Sequence, residues 1–168
     1  SLPGSLGSTE LAELLAEVIT SSRPKEGGPE IVLEIPHELE QLGVWVDGDR
    51  DALSSVFSNL LRNAQWFAGV SGKIAITIVG SPPGRVTIHV DDNGPGIAMD
   101  ERALIFEPFT RGSGERASRG VAQAPEGVGL GLSIARQIVR AAGGEIQASD
   151  SPLGGARLSV ELRLSNRA

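Results

Sequence analysis

"EGVGLGLSIARQIVRAAGG", residues 126–144, sets three glycines in five positions directly before an amphipathic helical pattern. Such density raises the question of what comes so close to this backbone that side chains are excluded. A P-loop needs G-x-x-x-x-G-K-[ST], and no Lys-Ser or Lys-Thr pair follows Gly131. A dinucleotide fingerprint needs G-x-G-x-x-G after a strand. Here the spacing is G-x-G-x-G and the upstream segment is polar and loop-like. Free N–H groups at a helix start, with the helix dipole behind them, form an anion site. A flexible hinge is the alternative, and the rest of the chain has to decide.

The composition narrows the classes. A chain of 168 residues with 40% hydrophobic residues suits one globular domain with its own core. The net charge of −6 lacks the basic footprint of a nucleic-acid binder. The absence of cysteine excludes a disulfide scaffold, a zinc–thiolate centre and a cysteine nucleophile. No apolar run reaches the length of a membrane span and no signal peptide is visible, so direct membrane insertion is not expected. The opening "SLPGSLGS", residues 1–8, reads as a flexible linker, and residues 9–168 as one domain.

Working outward from the glycines, the hydrophobic periods predict an α+β fold. Leu11, Leu14, Leu15, Val18 and Ile19 share a helical face, with Ser8 as N-cap and Pro24 as stop. "IVLEI" and "VWV" read as strands, and a second helix runs from Asp49 to Phe67. "KIAITIV" and "RVTIHVD" form a hairpin across "GSPPG". Met99 to Glu107 suggests a short helix. Residues 110–127 hold five glycines or prolines, three arginines and no apolar period, so they read as a long loop. The helix after Gly131 is expected to bury Leu132, Ile134, Ala135, Ile138, Val139 and Ala142, with Gly143 closing it. "EIQAS" and "ARLSVELRL" close the chain as strands, the latter with Leu158, Val160, Leu162 and Leu164 on one face. This layout predicts a two-layer sandwich, a mostly antiparallel sheet with helices on one face.

Three polar stations interrupt the pattern. In "NLLRNAQWF", Asn59 and Asn63 share a helix face at i and i+4, although asparagine is a mediocre helix former. Their amide oxygens could ligate Mg²⁺, a hard cation that bridges to phosphates, or could simply hydrogen-bond a neighbouring loop. In "VDDNGPGI", a strand ends in two acids followed by Gly94 and Gly96. Asp92 could accept a hydrogen bond from an exocyclic amine while Gly96 lets a flat ring approach, although D-N-G also marks an ordinary turn. The third station is the glycine-rich helix start.

Read together, Asn59 to Ala64, Asp92 to Ile97, "IFEPFTRG" at 105–112 and Gly127 to Leu132 resemble, in order and spacing, the N, G1, F and G2 boxes of sensor histidine kinase catalytic domains. The resemblance extends from Leu11 to the closing "GGARLSVEL" and disfavours the hinge. It implies the Bergerat ATP-binding fold, with ATP and Mg²⁺ as cofactors. On the residues of this chain, it implies that Asp92 reads the adenine amine, with Gly94, Gly96 and Ile97 beside the ring. Asn63 and Asn59 would hold Mg²⁺ and act as the catalytic pair. The backbone of Gly127, Val128, Gly129, Leu130, Gly131 and Leu132 would face the phosphates. Residues 110–127 would be an ATP lid hinged by Phe106 and Phe109. Arg111 would reach a phosphate or remain a solvated lid arginine. The implied partners are a dimerisation and phosphoacceptor domain and a downstream response regulator. The implied place is the cytoplasmic side of an inner-membrane sensor.

Two departures matter. The N box usually carries a lysine that approaches a phosphate, but here that position is Trp66, expected to pack against the lid or the sheet edge. The ATPase relatives of this fold, such as type II topoisomerases and Hsp90-like chaperones, carry a glutamate as general base where this chain has Asn59. An amide takes no proton at neutral pH. A histidine acceptor needs no such base, because its neutral ring nitrogen already offers a lone pair. Asn59 thus favours histidine phosphorylation over hydrolysis. A degenerate nucleotide-binding regulator is the other reading, supported by Trp66. "PHELEQL", 36–42, begins like a phosphoacceptor box but lacks its R-T-P continuation. It reads as a turn, and His89 as a strand histidine, so neither is an acceptor.

Overall fold

A computed structural model of the chain describes residues 7–108 and 128–166. Strand β1 (Ser8–Glu10) leads into α1 (Leu11–Ser22). β2 (Glu30–Glu34), α2 (His37–Leu42), β3 (Trp45–Asp47) and α3 (Arg50–Ala68) follow. β4 (Lys73–Ser81) and β5 (Arg85–Asp92) form the expected hairpin, and short 3₁₀ turns cover Met99–Glu101 and Leu104–Phe106. α4 (Val128–Ala141), β6 (Glu145–Asp150) and β7 (Ala156–Arg163) complete the order. The main sheet runs β2-β4-β5-β7-β6, parallel only between β2 and β4.

The helices lie on one face of this sheet, because alternate strand residues point to that side. Ile74, Ile76 and Ile78 of β4, Val86, Ile88 and Val90 of β5, and Leu158, Val160 and Leu162 of β7 are all buried. They meet Leu53, Val56, Phe57, Leu60 and Leu61 of α3 in one core. Each such side chain contributes roughly 1.5–3 kcal/mol when fully buried. Thr87, His89, Gln147 and Ser159 point to the other face, where they line a shallow depression. There His89 Nδ1 lies 2.8 Å from Ser159 Oγ. Burial, chiefly, and the Arg157 cation keep the His89 ring below the usual histidine range.

Several details differ from the sequence reading. Ser8 does not cap α1. It pairs with Asp47 in a two-stranded sheet, and Glu10 caps the helix by accepting from Ala12 and Glu13 N–H. The β1 backbone finds its partners in β3, which single-sequence periodicity does not reveal. "HELEQL" is a six-residue helix rather than a turn, with Pro36 ahead of it and Gly43 after it. Ile134 is 48% exposed, because on a helix it lies off the line through Leu132, Ala135 and Val139. Leu164 lies beyond the end of β7 and is 38% exposed. Trp66 is 40% exposed, so it is not sealed beneath the sheet edge. The lid segment, with Phe109, Arg111 and Gly127, lies outside the described residues.

Candidate functional site

Helix α3 brings the two asparagines into position. Asp49 caps its start by accepting from Ala52 N–H at 3.0 Å, and Gly69, with a φ of 73°, ends it. Between the caps, the apolar stripe fixes the rotation of the helix against the sheet. Asn59 and Asn63, one turn apart, therefore lie along the same edge.

Asn63 is 6% exposed, and no described residue hydrogen-bonds its amide. The residue as a whole is buried, but its amide atoms are not sealed from solvent, so water or a ligand can reach them. Asn63 lines a narrow cleft, with only about 10 Å³ of room for water-sized molecules, together with Phe67, Asp92, Gly96, Ile97 and Leu158. The cavity thus has an apolar body and two polar groups, the usual make-up of a site for a small molecule.

Asp92 closes the other side. β5 ends here because the carboxylate turns back on its own chain, with Oδ1 accepting from Gly94 N–H at 2.9 Å. A second donor comes from the far end of the sequence, Ala156 N–H at 3.2 Å. Oδ2 has no hydrogen bond among the described residues. Gly96 has a φ of 80°, which favours glycine, and a side chain at Gly94 would strike the Phe67 carbonyl. The loop is therefore pressed against the C-terminal end of α3. Beside it, Arg157 grips the buried Asp91 with Nε at 2.8 Å and Nη2 at 3.0 Å, tying β5 to β7.

Burial, as the largest cause, pushes the Asp92 carboxyl above the usual carboxylate range. The N–H donors of Gly94 and Ala156 oppose that shift, and the neighbouring Asp91 charge adds to it. With a raised native value, the folded state binds more protons than the unfolded one just above the ordinary aspartate value of about 3.9. The contribution of Asp92 to stability is thus present at low pH and lost as pH rises through that window. Thermal denaturation of wild type and Asp92→Asn between about pH 4 and 6 should show wild type losing ground to the variant as pH rises. Parallel curves would contradict the raised value.

The third station lies against the first. α4 already begins at Val128, so two of the three glycines of the opening stretch fall within its first turn. The N–H groups of residues 128–130 there have no partner inside the helix. At Gly131 the excluded side chain has a specific cause. A Cβ would lie 2.9 Å from Asn59 Cγ and 3.0 Å from its Oδ1. Asn59 Nδ2 also donates to the Gly131 carbonyl at 3.5 Å, which leaves its Oδ1 available. One edge of α3 therefore joins the cavity at Asn63 to the helix start at Asn59. Leu132 is buried beneath that start, in the core.

The sequence reading did not identify three contributors. Ala156 supplies a donor to Asp92. The Asp91–Arg157 pair braces the strand ends. Arg136 sits over the Phe106 ring at 5.5 Å. The only signal for the first was the "GG" of the closing motif. The other two depend on strand register and helix packing. No group of three or more His, Cys, Asp or Glu among the described residues could hold a metal. A cation here would rest on amide oxygens and on the ligand's own phosphates. The partnerless Asn63 amide and the free Asn59 Oδ1 fit that role.

A two-layer fold with a buried strand-end aspartate, a partnerless amide and a glycine-rich helix start in one continuous site defines a nucleotide-binding domain. Residues 48–166 match the family described as histidine kinase-, DNA gyrase B-, and HSP90-like ATPase, and the chain belongs to it. Sensor protein kinase CarS of Pseudomonas aeruginosa is 41% identical over 122 residues, 73% of this chain and 25% of that protein. Signal transduction histidine-protein kinase BaeS of Escherichia coli is 38% identical over 121 residues, 72% of this chain and 25% of that protein. The catalytic domain of histidine kinase ThkA superimposes with a TM-score of 0.76 at 27% identity, covering 95% of each chain. Full-length ShkA in complex with AMPPNP gives 0.73 at 29% identity, covering 96% of this chain and 32% of that one. The chain thus spans about a quarter of the length of these curated relatives. It is an ATP-binding domain of the histidine-kinase type. No described helix is long and apolar enough to cross a membrane.

Proposed function

We propose that this domain binds Mg-ATP and donates the γ-phosphate to a histidine on a separate dimerisation and phosphoacceptor domain, with a response regulator downstream. In this reading the parent protein is a sensor whose catalytic part, including this domain, lies in the cytoplasm at the inner membrane. The observation that carries the reading is the pairing of two buried polar side chains, Asn63 and Asp92, across one otherwise apolar cavity.

The roles in this reading are those the resemblance implies. Asp92 Oδ2 accepts the adenine amine, and Gly94, Gly96 and Ile97 flank the ring. The amide oxygens of Asn63 and Asn59 hold the cation, whose chemistry is to neutralise the phosphates. The N–H groups at the start of α4, from Gly127 through Gly131, receive phosphate oxygens, with Leu132 anchoring that turn in the core. By the resemblance, Phe109 and Arg111 are assigned to the nucleotide site as well. Asn59 offers no proton acceptor, so the domain positions the γ-phosphate without activating water.

Asn63→Ala tests the cation role by binding alone. Calorimetric titration should show ATP affinity falling at least about tenfold with Mg²⁺ present, since even groups behind a metal ligand cost that much. Without Mg²⁺ the two proteins should differ little. Equal affinity in Mg²⁺ would remove Asn63 from the site. The exposed Trp66 in place of the usual lysine favours a second reading, a nucleotide-binding regulator without phosphotransfer. Transfer of label to an acceptor segment separates the two.

A further inference from the structure

Gly155, in the turn between β6 and β7, lies directly behind Asp92. A Cβ there would fall 2.5 Å from the Asp92 carbonyl oxygen, 2.6 Å from Gly94 N, and closer still to Asp92 Oδ1. Real Cβ atoms do not approach backbone so closely, so a side chain here must displace the loop. The same residue donates its N–H to the Asp92 carbonyl at 3.1 Å, and the next N–H, from Ala156, reaches Oδ1 at 3.2 Å. Gly155 also backs Gly96, whose own Cβ would lie 3.6 Å from the Gly155 carbonyl oxygen. The turn is itself well tied, with Ser151 N–H to Gly155 O at 2.9 Å and Gly154 N–H to Ser151 O at 3.0 Å.

We propose that Gly155 is a specificity-determining positioning residue. Its missing side chain lets the turn occupy Asp92 Oδ1 from behind, leaving Oδ2, which has no hydrogen bond among the described residues, to select a purine bearing a 6-amino group. The proposal rests on the reading of Asp92 as the adenine acceptor. Gly155 does not touch the base. It acts by fixing where Oδ2 stands, and displacements on the order of 1 Å at such a group can cost about a hundredfold.

A merely structural glycine would weaken every nucleotide alike, whereas a positioning glycine sets the preference for the amine. The test compares ATP with purine riboside triphosphate, which lacks the 6-amino group. Dissociation constants are measured for wild type, Asp92→Asn and Gly155→Ala, alongside melting temperatures without nucleotide. Wild type should prefer ATP by about tenfold or more, as a hydrogen-bonding site prefers the ligand that completes it. Both variants should lose most of that preference, read as the ratio of the two dissociation constants, with Gly155→Ala keeping a cooperative melting transition. A Gly155→Ala protein that weakens both ligands equally, or keeps the preference, overturns the proposal while leaving Asp92 in place. A wild type without preference, or an Asp92→Asn protein that retains it, overturns the reading of Asp92 beneath it. If Gly155→Ala does not fold, an ester in place of the Gly155–Ala156 amide, introduced on a synthetic C-terminal segment, removes the N–H to Oδ1 without adding bulk. It should lower the preference likewise, and an unchanged preference in that protein overturns the proposal.

Discussion

Asp92→Asn is expected to weaken ATP binding about 10- to 100-fold while leaving the domain folded. The fold needs an oxygen at Oδ1 to accept from Gly94 and Ala156 N–H, and an asparagine carboxamide supplies one. Its NH₂ then stands where Oδ2 stood, a donor facing the donor amine of adenine. The loss is that of a charge-assisted hydrogen bond, about 1.5–3 kcal/mol. Asp92→Ala should do worse in a different way. It leaves two N–H groups without an acceptor in a buried site, at about 1–3 kcal/mol each, so its melting temperature should fall with its affinity. Calorimetry and thermal melts on the two variants separate recognition from folding. Wild-type ATP affinity in Asp92→Asn would remove Asp92 from base recognition.

The second large effect concerns chemistry. Incubated alone with Mg-ATP, the chain should neither release phosphate at an appreciable rate nor label itself on histidine. A general base is worth typically about 10²- to 10⁴-fold, and the Asn59 amide cannot supply it. Neither histidine suits the acceptor role. His89 stands on the sheet face away from the helices, its Nδ1 engaged by Ser159. His37 lies on α2 beside Gln41 rather than on a long exposed helix. Adding a helical segment with an exposed histidine should restore transfer, because docking makes a slow bimolecular step effectively unimolecular. Phosphate release and acid-labile labelling, with His37→Ala beside wild type, are the measurements. Brisk release by wild type would point to an ATPase, and label lost in His37→Ala would make α2 the acceptor. Asn59→Glu would add a carboxylate, but the longer side chain would also press on Gly131, where Asn59 already leaves no room for a Cβ.

The elements were legible in the sequence where one physical signal was strong. The apolar stripes of α1, α3 and α4, and the alternation in β4, β5 and β7, come from burial on one side, and burial writes a period into the chain. The three stations were legible for a similar reason. Asparagines on a helix, an acid pair before glycines and glycines before a helix each break local preference, and function is a frequent cause of such breaks. β1 and the short α2 were not legible, because three to six residues carry too little period.

Other features could be decided only in three dimensions. The donor from Ala156 to Asp92 spans 64 residues, and the Arg157–Asp91 pair spans 66. Both follow from the β5–β7 register, which no local pattern encodes. The opening question about the glycines has the same answer. Sequence alone pointed either to a close approach to the backbone of residues 127–131 or to a flexible hinge. The packing of α3 on α4 shows that at Gly131 it is Asn59, a residue 72 positions away. Periodicity, caps and breaks of propensity are local and survive in one dimension. Register, close approach and the lack of a partner for Asn63 among the described residues arise only when the sheet and helices close on one another.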